Sequence, residues 1–247
     1  MNQPIVITDE SYQVAWAKVI IELQKNQWDL WNLVVQIEDP TINDERVTGD
    51  LCEFAEINGL ITPERVEHTI FPTRLYRKYP EKTLLYRAYR KYFTITRKMD
   101  HSGWGTYFQS MIHYPTEKGY IDQLGDIIEK IKERPITYRT AYVMLIPEPE
   151  RDRNKIMAAP CLNYIALQLE NEKEQRNGRQ VSLLAVYRNH DFMGRAYGNY
   201  LGLCSLLKYI CKETNSSIGC ITCISSHAFV EKNKSELFDL ALAIKRG

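Results

Sequence analysis

The runs CLNYIALQLE (161–170) and VSLLAVYRNHD (181–191) decide the fold. Both read as strands, and the polar connection between them, NEKEQRNGRQ (171–180), carries Asn177-Gly178, a dipeptide suited to a tight turn. A long antiparallel hairpin is expected. Outward from it, TYRTAYVMLI (137–146), SIGCITCISS (217–226) and NLVVQI (32–37) read as further strands. SYQVAWAKVIIELQK (11–25) repeats apolar positions at Val14, Ala17, Ile20 and Ile21, with Ser11 as N-cap, which predicts a helix. GYIDQLGDIIEKIKERP (119–135) is a second, ending at Pro135; residues 199–213 form an almost wholly apolar third, and SELFDLALAIKR (235–246) closes the chain as a fourth. Residues 38–67 are acidic and broken by Asp39-Pro40, Gly49 and Asn58-Gly59, and yield no element. The expected architecture is α+β: a single domain, 1–247, with a central mixed β-sheet covered by helices.

Composition narrows function by exclusion. With 247 residues, 44% hydrophobic and 26% charged, the chain is of ordinary globular type and long enough to fold without a disulfide or metal staple. Lys plus Arg is 32 against 31 Asp plus Glu, so no global field draws the molecule to nucleic acid or an anionic membrane, and anion binding must be local. The start MNQPIVITDESYQ lacks signal-peptide blocks, and no apolar run approaches the ~20 residues of a transmembrane helix. Six cysteines in apolar strings fit reduced thiols, and a cytoplasmic location is expected. The segment 74–98 departs from neutrality: nine Lys or Arg, one acid at Glu81, and tyrosines at 76, 79, 86, 89 and 92. It reads either as a nucleic-acid surface, or as an amphipathic helix over 81–93 with Leu85, Ala88, Tyr89 and Tyr92 on one face and snorkelling cations. The second reading outweighs the first.

Cys161, after Pro160 at a strand start, is a candidate nucleophile, against the plainer reading of a small buried hydrophobe. Arg188-Asn189-His190-Asp191 is a polar run where an apolar strand ends. An arginine there offers a fork to a phosphate and stabilises a nearby thiolate, lowering the thiol pKa from about 8.5; the plainer reading is a solvated turn. Asn199 opens the apolar helix, either as a cap or as a donor and acceptor presented side by side to a ring amide. His227 ends the last strand. Cys220 and Cys223, with Cys204 and Cys211, suggest zinc by count, but positions three apart on a strand face opposite sides, so no metal is expected.

In order, IDQLGDIIEKIKERP, TYR, APC, YRNHD, Asn199 and HAF, over residues 119–230, resemble the thymidylate synthase and pyrimidine hydroxymethylase family, in the shorter forms typical of archaea. The resemblance implies that Cys161 adds to carbon 6 of a uracil ring, making carbon 5 nucleophilic toward the carbon unit of 5,10-methylenetetrahydrofolate. Arg188 becomes a phosphate ligand, and Arg139 a second one donated across a homodimer interface. Asn199 reads the pyrimidine edge and favours uracil, Asp191 meets the folate pterin, and His227 meets a sugar hydroxyl. Departures are Tyr138 for the first of an arginine pair, Asn189 for a serine, Leu162 for a histidine, Phe229 for a tyrosine, and Trp104-Gly105 for a Tyr-Gly. The catalytic glutamate of the family has four candidates, Glu53, Glu56, Glu64 and Glu67. Only 18 residues follow Phe229, a short tail for a folate lid, which keeps hydroxymethylation by water beside methylation by hydride. A third reading, an RNA-binding protein on the same fold, rests on 74–98 and is opposed by the near-neutral charge.

Overall fold

The hairpin forms as strands β6 and β7 of a computed structural model that describes residues 3–99, 105–133, 141–155, 159–171 and 179–246. In chain order the elements are β1 (Ile5–Asp9), α1 (Tyr12–Lys25), β2 (Asp29–Ile37), α2 (Glu45–Ile57), α3 (Pro63–Ile70), α4 (Thr73–Lys78), α5 (Lys82–Met99) and α6 (Tyr107–Ile112). They continue with β3 (Tyr114–Thr116), β4 (Gly119–Ile121), α7 (Gln123–Glu133), β5 (Val143–Leu145), α8 (Pro149–Asp152), β6 (Leu162–Asn171) and β7 (Arg179–Tyr187). Last come β8 (His190–Asp191), α9 (Ala196–Thr214), β9 (Ser217–Phe229) and α10 (Lys234–Arg246). The architecture is α+β, with one large mixed sheet ordered β1-β2-β9-β7-β6-β5 and β8 added beside β9. β7 and β9 run parallel, and a parallel pair needs a crossover, which α9 supplies.

The α1 helix starts as the sequence requires: the Ser11 hydroxyl accepts the Gln13 N–H at 3.1 Å. Trp16, Val19, Ile20 and Leu23 are fully buried, each contributing about 1.5–3 kcal/mol by leaving water. The Trp16 indole also donates to the Phe192 carbonyl at 3.2 Å, tying α1 to the loop before α9. α9 is buried along most of its length, and α3 crosses it closely. Glycine permits that crossing: a Cβ on Gly198 would stand 2.5 Å from the Val66 Cβ and 2.6 Å from the Pro63 carbonyl oxygen.

The two sheet faces differ. Leu33, Val35, Ile221, Cys223, Leu183 and Ala185 are buried on the side where α1 and α9 pack. On the other side, strand registers align Val6, Val34, Ile224, Val186, Tyr164 and Leu145 into one cross-strand row. That row is apolar, and its ends are open, Val6 being 65% and Leu145 47% exposed.

Several boundaries differ from expectation. Residues 38–67, expected to hold no element, contain α2 and the first turns of α3, started by Asp44, whose carboxylate accepts the Arg46 N–H, and by Pro63 in the first turn. The 119–135 segment splits, since Gly119 at φ +124° turns the β3–β4 ribbon and only Gln123–Glu133 is helical. The helix expected over 81–93 runs from Lys82 to Met99, and its buried side carries Leu85, Tyr86 and Tyr89, while Tyr92 is 44% exposed. The strand expected over 137–146 is present at Val143–Leu145; Tyr138 and Arg139 lie outside the described residues, as do Trp104 and Asn177-Gly178. Asn199 does not open α9 but stands four residues inside it, because Arg195 is the residue at the N-cap.

Candidate active site around Cys161

Cys161 precedes β6 and Arg188 follows β7, so the hairpin brings them together at one end of the sheet, where the Arg188 N–H donates to the Cys161 carbonyl at 2.9 Å. The register shifts between Leu162 and Tyr164, an irregularity of the kind that re-aims a side chain at a strand end. A cavity of about 240 Å³ opens there, lined by Cys161 and by Asn189, Asp191, Arg195 and Asn199 from the loop and start of α9. Helix α3 adds Arg65 and Thr69, and the approach to α6 adds Thr106 and Tyr107.

The thiol departs from its sequence-based expectation. Burial pushes the Cys161 thiol above its ordinary value, and the opposing pulls of Arg188 and Arg195 do not overcome it. The Arg188 guanidinium is in part engaged with backbone, donating from Nε to the Pro160 carbonyl and from Nη2 to the Ala159 carbonyl, both at 3.2 Å. It thereby fixes the Ala159-Pro160-Cys161 turn. Arg195, whose side chain is exposed, lines the cavity itself.

Asn199 is held from below. Its amide nitrogen lies 3.0 Å from Nε2 of His190, whose Nδ1 lies 2.9 Å from the Ser225 hydroxyl. His190 is buried and stacked on Tyr187 at 4.1 Å, and burial pulls its pKa down to about 3, so the ring is neutral. In the pairing that satisfies all groups, the amide donates to Nε2 and Nδ1–H donates to Ser225. The amide rotation is then set, and its oxygen and second N–H remain for the cavity.

Asp191 presents a carboxylate to the same space. Its oxygens accept the N–H groups of Met193 at 2.9 Å and Gly194 at 3.2 Å, and burial nonetheless raises its pKa. His227 does not line the cavity. Its Nδ1 lies 2.7 Å from the Asn189 Oδ1 and its Nε2 lies 2.9 Å from an Asp29 carboxylate oxygen. Trp31 and Phe229 stack against the ring at 4.6 and 5.3 Å.

None of the four glutamate candidates lines the Cys161 cavity. Glu56, Glu64 and Glu67 instead border a neighbouring cavity with His68 and Arg74, and Glu67 accepts hydrogen bonds from Thr73 and Ser205, the latter at 2.7 Å. Arg65, Thr69, Tyr107 and Arg195 were not singled out by sequence. Arg195 lies between Asp191 and Asn199, where the sequence assigns no role, and α3 begins in the 38–67 segment that yields no element. Among the described residues no cluster of three or more His, Cys, Asp or Glu is arranged to hold a metal ion, and no helix is long and apolar enough to cross a membrane.

No family model matches the chain. It is 33% identical over 112 residues to a protein of Methanosarcina mazei named "Putative thymidylate synthase", covering 45% of this chain and 47% of that one. A Methanosarcina acetivorans protein of the same name is 31% identical over 125 residues, 51% of this chain and 52% of its own. A Methanocaldococcus jannaschii protein of that name is 26% identical over 131 residues, 51% and 56% of the two chains. The chain spans about half the length of the curated relatives it matches. The likeness to proteins of that name extends over about half of the chain.

Proposed function

We propose that the chain is a folate-dependent one-carbon transferase acting on carbon 5 of a uracil nucleotide, with Cys161 as covalent nucleophile and a 5-methylpyrimidine nucleotide as product. The observation that supports this most is convergence: Cys161, Asn199 and Asp191, assigned by the resemblance to the thiol, the base and the folate, line one cavity although 38 positions of chain separate the first from the last. Domain 1–247 is taken as one catalytic unit of the shorter, archaeal-type class, working in the cytoplasm.

Each residue has a chemical task in this reading. The Cys161 sulfur attacks carbon 6 as thiolate, and negative charge moves to carbon 5 and to the oxygen on carbon 4. The second N–H of Asn199 donates to that oxygen while its Oδ1 accepts from the ring N–H, an electrostatic stabilisation of developing charge. Arg195 and Arg65 line the cavity and Arg188 acts on the thiol beside it, positive charge for the 5′-phosphate, to which the resemblance adds Arg139 of a second copy. His227, which the resemblance assigns to the sugar, stands outside the cavity lining, beside Asn189, which lines it.

The folate fits the donor set. A carboxylate oxygen has about two acceptor sites, and each Asp191 oxygen uses one on a backbone N–H, which leaves acceptors facing the cavity for the N–H donors of a pterin ring. When bound, 5,10-methylenetetrahydrofolate supplies the one-carbon unit and the hydride. The apolar row from Val6 to Leu145 suits a second copy of the chain, since a two-fold axis sets one patch against itself. The test is product identity: incubation with deoxyuridylate or uridylate plus 5,10-methylenetetrahydrofolate, read by mass. A gain of one methyl group supports the proposal, a hydroxymethyl group moves the reading to the hydroxymethylase, and unchanged nucleotide overturns it.

A further inference from the structure

His227 bridges Asp29 of β2 and Asn189 of the loop between β7 and β8, and it stands outside the cavity lining, which separates it from the role the resemblance implies. Its Nε2 faces an Asp29 carboxylate oxygen at 2.9 Å, a group that as carboxylate only accepts, so Nε2 carries a proton. Its Nδ1 faces the Asn189 Oδ1 at 2.7 Å, an oxygen that likewise only accepts, so in this arrangement both ring nitrogens donate and the ring is the imidazolium. Trp31 stacks on the ring at 4.6 Å and Phe229 at 5.3 Å, which restrains it. Asn189, unlike His227, lines the cavity that holds Cys161. With Oδ1 turned to the histidine, the amide's two N–H donors turn the other way.

We propose that His227 is a positioning residue that fixes the Asn189 side-chain amide, so that its nitrogen presents hydrogen-bond donors to an oxygen-rich part of the ligand, a phosphate or a ring carbonyl. His227 then acts on the ligand through Asn189 and not by touching it. The bridge starts at Asp29 on β2, which holds the ring at its far nitrogen. The inference rests on the proposed nucleotide reading only for the identity of the ligand.

Two measurements test it, and the first needs no ligand. In protein labelled with ¹⁵N-asparagine, the Asn189 side-chain amide has an order parameter near that of rigid backbone, about 0.85, and falls below about 0.6 in His227→Ala. An unchanged order parameter overturns the proposal whether or not any nucleotide binds. The second is a double-mutant cycle on deoxyuridylate affinity by calorimetry. His227→Ala and Asn189→Ala each weaken binding about tenfold, the worth of one well-placed hydrogen bond, and the double variant is no weaker than Asn189→Ala alone. Losses that multiply to about a hundredfold mean that His227 touches the ligand itself and overturn the proposal. If the wild type binds no deoxyuridylate, the nucleotide reading fails, and the order parameter alone still decides the role of His227.

Discussion

The Asn199 side-chain nitrogen lies 3.0 Å from Nε2 of His190, a buried imidazole that burial keeps neutral, and this contact orients the amide at the base of the Cys161 cavity. Under the proposed reading, base choice then depends on both residues, of which only Asn199 has that role from the sequence.

Asn199→Asp is expected to shift preference from uracil toward cytosine nucleotides, since a carboxylate accepts from the cytosine amino group and cannot donate to the carbon-4 oxygen of uracil. The neutral His190 ring accommodates the change by moving its proton from Nδ1 to Nε2, with Ser225 turning to donate. Competitive turnover of the two nucleotides reads the shift, which is expected to span orders of magnitude. A wild type that prefers a cytidine nucleotide contradicts the assignment.

His190 also makes stability depend on pH. Its pKa is about 3 folded against about 6.5 unfolded. Below pH 6.5 the unfolded chain binds a proton that the folded one refuses, so this contribution is intact above that window and declines as pH falls, by about 1.4 kcal/mol per unit. Urea unfolding at pH 7 and pH 4.5 is expected to show about 2–3 kcal/mol more loss in the wild type than in His190→Gln. Equal losses contradict the buried neutral ring.

For Cys161 the sign runs upward. Because burial outweighs Arg188 and Arg195, the pH midpoint of its alkylation by iodoacetamide lies above the ordinary thiol value of about 8.5, and Arg195→Met raises it further. A midpoint near neutrality, or a fall in Arg195→Met, contradicts the electrostatics described here.

The open row of the sheet is expected to pair two copies. Ile224→Lys places a charge in the middle of that row and is expected to convert a dimer to a monomer in light scattering, with unfolding little changed. Mixing inactive Arg139→Ala and Cys161→Ser subunits restores part of the activity if sites are shared. A monomeric wild type at micromolar concentration contradicts the pairing.

Most of the sheet was legible because its strands are continuous apolar runs with clear ends: 161–170 and 181–188 became Leu162–Asn171 and Arg179–Tyr187. Ser11 marked the start of α1 for the same kind of local reason, a cap that satisfies a backbone N–H. The segment 38–67 was opaque because α2 buries only Leu51 and Ala55 fully and carries Gly49 in its interior, so its periodicity is faint. Arg65 reaches the cavity through the close α3–α9 crossing at Gly198 and Gly202, a tertiary fact with no local pattern. The sequence also separated Asn199 from His190 by nine positions, and only the fold of β8 against β9 brings the imidazole beneath the amide.

Activation of carbon 5 of a uracil nucleotide by the Cys161 thiolate is read most directly by release of tritium from deoxyuridylate labelled at carbon 5, in the presence of 5,10-methylenetetrahydrofolate. This step precedes the divergence between methyl and hydroxymethyl products, so it reads the shared chemistry alone. Steady release into water is expected from the wild type and none above background from Cys161→Ser, which still binds the nucleotide. Release by Cys161→Ser at more than a few per cent of the wild-type rate, or none by the wild type, contradicts that activation.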